Sequence, residues 1–304
     1  MLVGLCKKAK LLETKRKYTL DYDGHIVENT KKDSCPTYKR TSGYYPVVCS
    51  INKLPVFLQN RKGNTPESYH QLQVIQNTLT NLKEANIEVG KFRADTSCYE
   101  KETIEYLENN NITYYIRAEQ NETIRIAFED ENEWIPAELN NRQVETCSMQ
   151  EKILGQWRRI VAYRVELPKG NSDLFDKEGY RYHAIITSDT ETEPIDIIQL
   201  YNQRGCDGEH HFKELDYDFS WNKLPFDNFA MNTIYFYATA LCYILFWFCK
   251  QAYAGKLSFV RPTMRLKSFI LHFVTLTAKW IHTGRQWILN IYTHKNYTPI
   301  LAPP

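Results

Sequence analysis

No Asp or Glu follows Asp227, although 36 acidic residues precede this point and eight of the 38 Lys and Arg lie beyond it. That absence divides an acidic body from a basic tail, a contrast hidden in the net charge of +2. A segment without carboxylates suits a phosphate-binding surface, because each Lys or Arg contact with a phosphate releases counterions. A solvated helical face would show the same balance. The eight cysteines include no CxxC pair and no Cys/His cluster at zinc-ligand spacing, which argues against a structural zinc or a dithiol redox motif and for reduced cytoplasmic thiols. A secretory signal is missing too, since the opening MLVGLCKKAKLLETKRK sets its charges after a very short apolar start, the wrong order for export. Internal repeats and low-complexity segments are absent.

Charge is also missing from residues 230–249, AMNTIYFYATALCYILFWFC. The run is close to the ~18–20 residues of a membrane crossing. It carries Asn232, two Thr and three Tyr, and is read as a fully buried helix of a soluble protein, with no membrane partner expected.

The 304 residues can bury a substantial core, and a composition that is 43% hydrophobic, 24% charged and 13% aromatic is that of a globular chain. Residues 18–29 alternate β-formers with polar residues and put Asp21 and Asp23 on one face of a strand. Strands at 44–51 and 54–58 follow as a meander. Helical periodicity over 66–85 leads into a strand at 87–94 ending at Asp95, then a helix over 100–109 and a strand over 112–118. From 119 to 181 the pattern changes to short strands (ETIRIAFED, RQVETCSM, QWRRIVAYRVEL), an all-β insertion. The strand at 182–188 returns to the main sheet, residues 193–201 open a helical region, and the last third is expected to be helical. The expected division is 1–118 and 182–255 for a catalytic α/β domain, 119–181 for the insertion, and 256–304 for a basic helical segment.

Acidic residues at strand ends, Asp21 or Asp23 and Asp95, with Glu209 in a helix-like run, suggest metal chemistry. Paired hard cations need several oxygen ligands, and phosphodiester cleavage is served by one ion on the attacking oxygen and one on the leaving oxygen, about 3.5–4 Å apart. Spacing alone does not separate such a triple from ordinary surface carboxylates in a chain with 36 acids.

YNQRGCDGEHHFKEL, residues 201–215, resembles the Tyr-x-x-Arg-x-x-x-Glu signature of insertion-sequence transposases with a DDE active site. FRADTSCY, residues 92–99, is similar to the family's second-carboxylate segment. LDYDGHIVE, residues 20–28, resembles its first-carboxylate strand, and GYYPVV, RKGN and RPTMRLKSFILHFV resemble further segments, so the likeness covers about residues 18–290. It implies an RNase H-like mixed sheet flanked by helices, interrupted by a β-rich insertion before the last catalytic carboxylate and followed by a helical C-terminal region. The implied activity is metal-dependent cleavage of transposon ends and strand transfer into target DNA.

The resemblance makes Asp23, Asp95 and Glu209 the catalytic, metal-binding acids for two Mg²⁺ or Mn²⁺ ions, with Asp21 and Asp207 in reserve. Tyr201, Arg204, Lys213, Arg261, Arg265 and Lys267 become DNA contacts. The implied partners are double-stranded DNA, both terminal inverted repeats and target, and a second copy of the chain, in a bacterial cytoplasm at the nucleoid. Adjacent His210 and His211 point to different helix faces and cannot chelate one ion together. Trp134 and Trp157 are core aromatics by default, with base stacking as the alternative. Three departures stand out. The family's Glu falls four residues after the Arg, at Gly208 here, whereas Glu209 is five after Arg204. The family's Asp-x-Thr is Asp23-Gly24-His25. The first-carboxylate strand starts about 18 residues in, so the expectation is a truncated chain lacking an end-binding domain, and a silent, DNA-binding remnant is the alternative function.

Overall fold

In a computed structural model the chain is described at residues 1–66, 68–119, 124, 126–128, 133–167 and 179–301, with backbone alone at 206, 207, 209 and 210. A short helix α1 (Leu2–Lys8) precedes β1 (Lys17–Gly24), the small strands β2 (Val27–Glu28), β3 (Cys35–Pro36) and β4 (Ser42–Tyr44), and the hairpin of β5 (Val47–Ile51) and β6 (Leu54–Gln59). Then come α2 (Gln71–Glu84), β7 (Glu88–Ala94), α3 (Lys101–Asn109) and β8 (Thr113–Arg117). Strands β9 (Ile135–Leu139), β10 (Arg142–Ile153), β11 (Gln156–Glu166) and β12 (Tyr180–Thr187) lead to helices α4 (Pro194–Tyr217), α5 (Phe229–Ala254) and α6 (Leu266–Phe273). The chain closes with β13 (Thr277–Thr283), β14 (Gln286–Tyr292) and the turn-length α7 (Thr298–Leu301).

Nine strands form one mixed sheet in the order β6-β5-β1-β7-β8-β12-β11-β10-β9. Only β1, β7 and β8 run parallel; the other pairings are antiparallel. The parallel pairs need crossovers, and α2 and α3 supply them, as the β-α-β-α-β pattern leads one to expect. The β-rich segment after β8 continues this same sheet, because β12 pairs with β8 on one side and β11 on the other. Parallel strands are covered on both faces. Tyr114 and Ile116 of β8 join the main core, and Tyr115 between them joins a second cluster with Val161, Ile185, Ile197 and Ile198 beneath α4.

Three expectations are corrected. The segment 122–130 is not a strand where it is described: Ile124 and residues 126–128 are helical. Its Ile-x-Ile-x-Phe run satisfies both periods, but Ile124 and Phe128, four apart, are buried while Ile126 is exposed, and the helical period wins. Helix α5 is not fully buried. Asn232, Phe236, Ala240, Tyr243 and Lys250 face inward, whereas Ile234, Leu245 and Phe248 are exposed; by length and composition it would suffice to cross a membrane. Finally, residues 277–292 form a β-hairpin rather than more helix. Gly284 and Arg285 both have positive φ, +55° and +62°, the two-residue turn that matches the twist of flanking strands, and Thr, Ile, Trp and Tyr around it favour extended backbone.

The register of β1 with β7 sets Asp21 beside Arg93. The Arg93 guanidinium donates to both Asp21 oxygens at 2.6 and 2.8 Å, and its remaining Nη1 donates to the Leu200 carbonyl of α4 at 2.6 Å. Both residues are buried. Removing one charge of such a pair strands the other in the core, at a cost of about 3–5 kcal/mol. Asp21→Asn should therefore lower the unfolding free energy by about that amount in a urea titration followed by circular dichroism, and a loss below about 1 kcal/mol would show that the pair does not anchor α4.

Candidate active site

Side chains alternate across a strand, so Asp23 shares a face with Asp21 and Asp95 shares one with Arg93. Because β1 and β7 run in parallel, both acids come out at the same edge, the carboxyl ends of neighbouring strands. Asp95 ends β7 and turns the chain: its Oδ1 accepts hydrogen bonds from the Ser97 amide at 3.0 Å and the Ser97 hydroxyl at 2.6 Å. Helix α4 crosses above this edge. Arg204, buried on its underside, places Nη2 at 3.4 Å from Asp23 Oδ1 and 3.5 Å from Asp95 Oδ2. One cation thus lies between the two acids.

The electrostatics reflect burial and crowding. Burial pushes the Asp23 carboxyl up to about 6; Arg204 pulls it down, and Asp95 beside it adds to the rise. Burial alone would weaken the Arg204 cation, but Asp23, Tyr201 and Asp95 reverse this and hold it charged far above neutral pH. Burial also raises the Tyr201 hydroxyl.

The position of α4 that lies over Asp23 is 208. A methyl group built on Gly208 would come within 2.9 Å of Asp23 Oδ2, closer than side-chain carbons approach. At about 100° per residue, position 208 sits about 40° round the helix from Arg204, position 207 about 60° to the other side, and position 209 about 140° away. The side chains of Glu209 and Asp207 lie outside the described residues, so the backbone fixes their places on the helix and no more. Lys213 falls on the exposed side with Gly205.

Of the other expected contacts, Asp21 is paired with Arg93 and lines the same cavity as Asp23, Arg204 and Gly208. Arg261 and Lys267 are exposed, and Arg265 forks onto both oxygens of Asp218 at 2.8 and 3.0 Å. Trp134 packs against Phe128 and Tyr182 with the Arg164 guanidinium 4.4 Å from its ring centre, while Trp157 is exposed. His211 is buried, edge-on to Tyr243, and burial pushes it down to about 3, which keeps it neutral. His210 has no described side chain.

Two participants escaped the sequence reading. Arg93 sat unnoticed inside FRAD, although the parallel register puts it opposite Asp21. His25 counted only as a departure from a pattern, yet its Nε2 lies 2.9 and 3.0 Å from the two oxygens of Asp216 on α4 and its ring stacks on Phe212 at 4.4 Å. It ties the strand carrying Asp23 to the helix carrying Arg204. Nothing in the spacing of 25 and 216 announces that pair.

Asp23 and Asp95 supply hard oxygen ligands converging on one point, a donor set suited to Mg²⁺ or Mn²⁺. Among the described residues no group of three or more His, Cys, Asp or Glu could hold a metal. The raised Asp23 carboxyl carries a sign. Its affinity for a proton is higher folded, at about 6, than unfolded, at 3.8, so stability falls as pH rises through that interval and stays reduced above it. In metal-free buffer Asp23→Asn should therefore be more stable than the parent at pH 8, by about 1–3 kcal/mol, and the advantage should vanish below pH 4. Thermal melts at the two pH values check this, and equal melting at pH 8 would contradict it.

The family model described as Transposase DDE domain group 1 matches residues 9–303. The fold is similar to that of a piggyBac transposase in the cryo-EM structure of its synaptic complex with hairpin DNA, with a TM-score of 0.51 and 14% identity over 84% of this chain and 51% of that one. The chain therefore spans about half the length of that neighbour. A likeness to the NurA nuclease from Sulfolobus solfataricus, at a TM-score of 0.28 and 8% identity over 72% of this chain and 94% of that one, carries no argument. No curated protein matches the chain.

Proposed function

The chain belongs to the DDE transposase family of group 1, matched from residue 9 to residue 303, and on that premise we propose that it cleaves the ends of a DNA element and joins them to target DNA. The observation that carries this reading is the convergence of Asp23 and Asp95 on a single Arg204 nitrogen at 3.4 and 3.5 Å. Two strand-end acids held this close, and kept from repelling one another by a buried cation, form half of a divalent-metal centre.

Asp23 and Asp95 would hold Mg²⁺ or Mn²⁺, two ions when the third acid, Glu209 or in its place Asp207, joins them. Bound metal supplies a polarised phosphate and a more acidic water or 3′-hydroxyl. The protein's own residues do the rest. Arg204 would fork toward a phosphate oxygen. Tyr201 hydrogen-bonds the DNA backbone one turn before it, and both position the strand rather than read its sequence. Lys213, Arg261, Arg265 and Lys267 extend the phosphate-binding surface, Arg265 only after releasing Asp218. In this reading residues 1–118 and 182–255 are the catalytic domain, 119–181 the insertion and 256–304 the basic segment. The working form is a dimer joining two DNA ends, in the cytoplasm at the nucleoid and away from membranes.

One observation favours a second reading. Glycine occupies the α4 position over Asp23, where the family signature has its Glu, so a chain that binds DNA without cutting it is the alternative. Purified protein incubated with Mg²⁺ and DNA carrying terminal repeats should nick the ends, and Asp95→Asn should reduce nicking to background while leaving DNA affinity within about twofold. Comparing Glu209→Gln with Asp207→Asn identifies the third ligand. DNA binding without metal-dependent cleavage in the parent would establish the silent reading instead.

A further inference from the structure

The C-terminal hairpin is an element without a surface to rest on. Strands β13 and β14 pair only with each other among the described residues. Along both strands every residue is exposed or at most half-buried. An isolated two-stranded ribbon is marginal in water. Its base is nonetheless held, by Leu257, Val260 and Tyr297 in a small cluster with Phe259 and Phe273, so the ribbon projects from a fixed root.

The side chains on it are not those of a solvent-facing loop. Trp280 lies opposite Leu289 and His282 opposite Trp287, so one face carries both tryptophans, 62% and 69% exposed. Lys279 lies on the opposite face, in register with Asn290, and Arg285 stands at the tip in the turn. No carboxylate occurs anywhere from residue 228 onward. Burying this ribbon against a second copy of itself would bring cations to cations with no acid of the same segment between them. A polyanion meets no such penalty.

We propose that the β13–β14 ribbon is a DNA-docking element that enters the major groove of duplex DNA, a proposal that rests on the transposase reading above. The groove admits a two-stranded β-ribbon. Seven residues per strand span about 24 Å, a large part of the ~34 Å helical turn. In that seat Trp280 and Trp287 lay apolar surface against base edges and thymine methyl groups, while Arg285 at the tip and Lys279, whose long side chain reaches round from the back of the ribbon, meet phosphates flanking the groove. Contact with the duplex covers the face that the described residues leave bare. This site is separate in sequence from Asp23, Asp95 and α4, so binding and cutting can be tested apart.

The experiment uses the full chain and a fluorescently labelled 30-base-pair duplex, with anisotropy titrations at several salt concentrations. Trp280→Ala/Trp287→Ala should weaken binding about tenfold or more. Lys279→Ala/Arg285→Ala should do the same and flatten the slope of log affinity against log salt by about two, one per lost phosphate contact. Both variants should keep the parent's thermal melt, since the ribbon contributes nothing to the core. Parent-like DNA affinity in both would overturn the proposal. So would variants that keep DNA affinity but lose a dimer in sedimentation, which would assign the ribbon to a second copy, or variants that lose only flotation with phosphatidylglycerol vesicles. A parent that binds no duplex overturns this proposal and the transposase reading together; a parent that binds through the ribbon but never cleaves overturns the catalytic reading alone.

Discussion

Everything at the edge that carries Asp23 and Asp95 depends on one pairing, the parallel register of β1 with β7 that sets Asp21 beside Arg93. Two residues further along each strand, the same alternation brings Asp23 and Asp95 out on the same face and at the same end. The buried ion pair one step below them does two jobs. It neutralises a carboxylate and a guanidinium that would each be costly alone, and through the Leu200 carbonyl it fixes where α4 crosses the sheet. A slip of one residue in this register would turn one strand over relative to the other and send its acid to the opposite face, into the apolar layer of Leu20, Tyr22, Phe92 and Ala94.

Above that pair the chain accepts an unfavourable arrangement. Asp23 is crowded by Asp95 and partly withdrawn from water, and its proton is held more tightly than an ordinary carboxyl's. Arg204 offsets part of this from the helix side, and His25 clamps strand to helix through Asp216. Perturbed carboxyls held in a well-packed frame cluster at functional sites.

The fold was legible wherever a period was clean. The β-α-β-α-β alternation, the strand ending at Asp95 and the long helix through Arg204 all arise from local pattern, and the structure has each within a few residues. Where two periods coincided the reading failed: Ile124, Ile126 and Phe128 fit a strand as well as a helix, and only tertiary burial decides between them. The hairpin at 277–292 was missed for a related reason, a run of apolar residues taken as continuing the helices before it, with the Thr-Gly-Arg turn left unweighed. In the site, the strand pattern offered Asp95 and either Asp21 or Asp23, and the choice of Asp23 came from the family resemblance. Arg93 and His25 could not be named, because their partners, Asp21 and Asp216, are set by register and helix crossing rather than by any spacing along the chain.

The one-residue difference between Gly208 and Glu209 matters because α4 is an uninterrupted helix from Pro194 to Tyr217. In a loop, one extra residue is absorbed by a change of path. In a helix it rotates every later residue by about 100°, and here both ends are pinned: Arg204 between the acids, and His211, Phe212 and Leu215 in the core beyond. Neither end can turn to bring position 209 over Asp23 without breaking packing at the other. In the proposed mechanism a third acid would reach from the flank of the helix, from 207 or 209, beside a glycine that carries no side chain toward Asp23. Under that proposal the glycine at 208 would bear on activity twice: it removes the acid from the position facing Asp23, and it clears the gap through which a neighbouring carboxylate would have to enter.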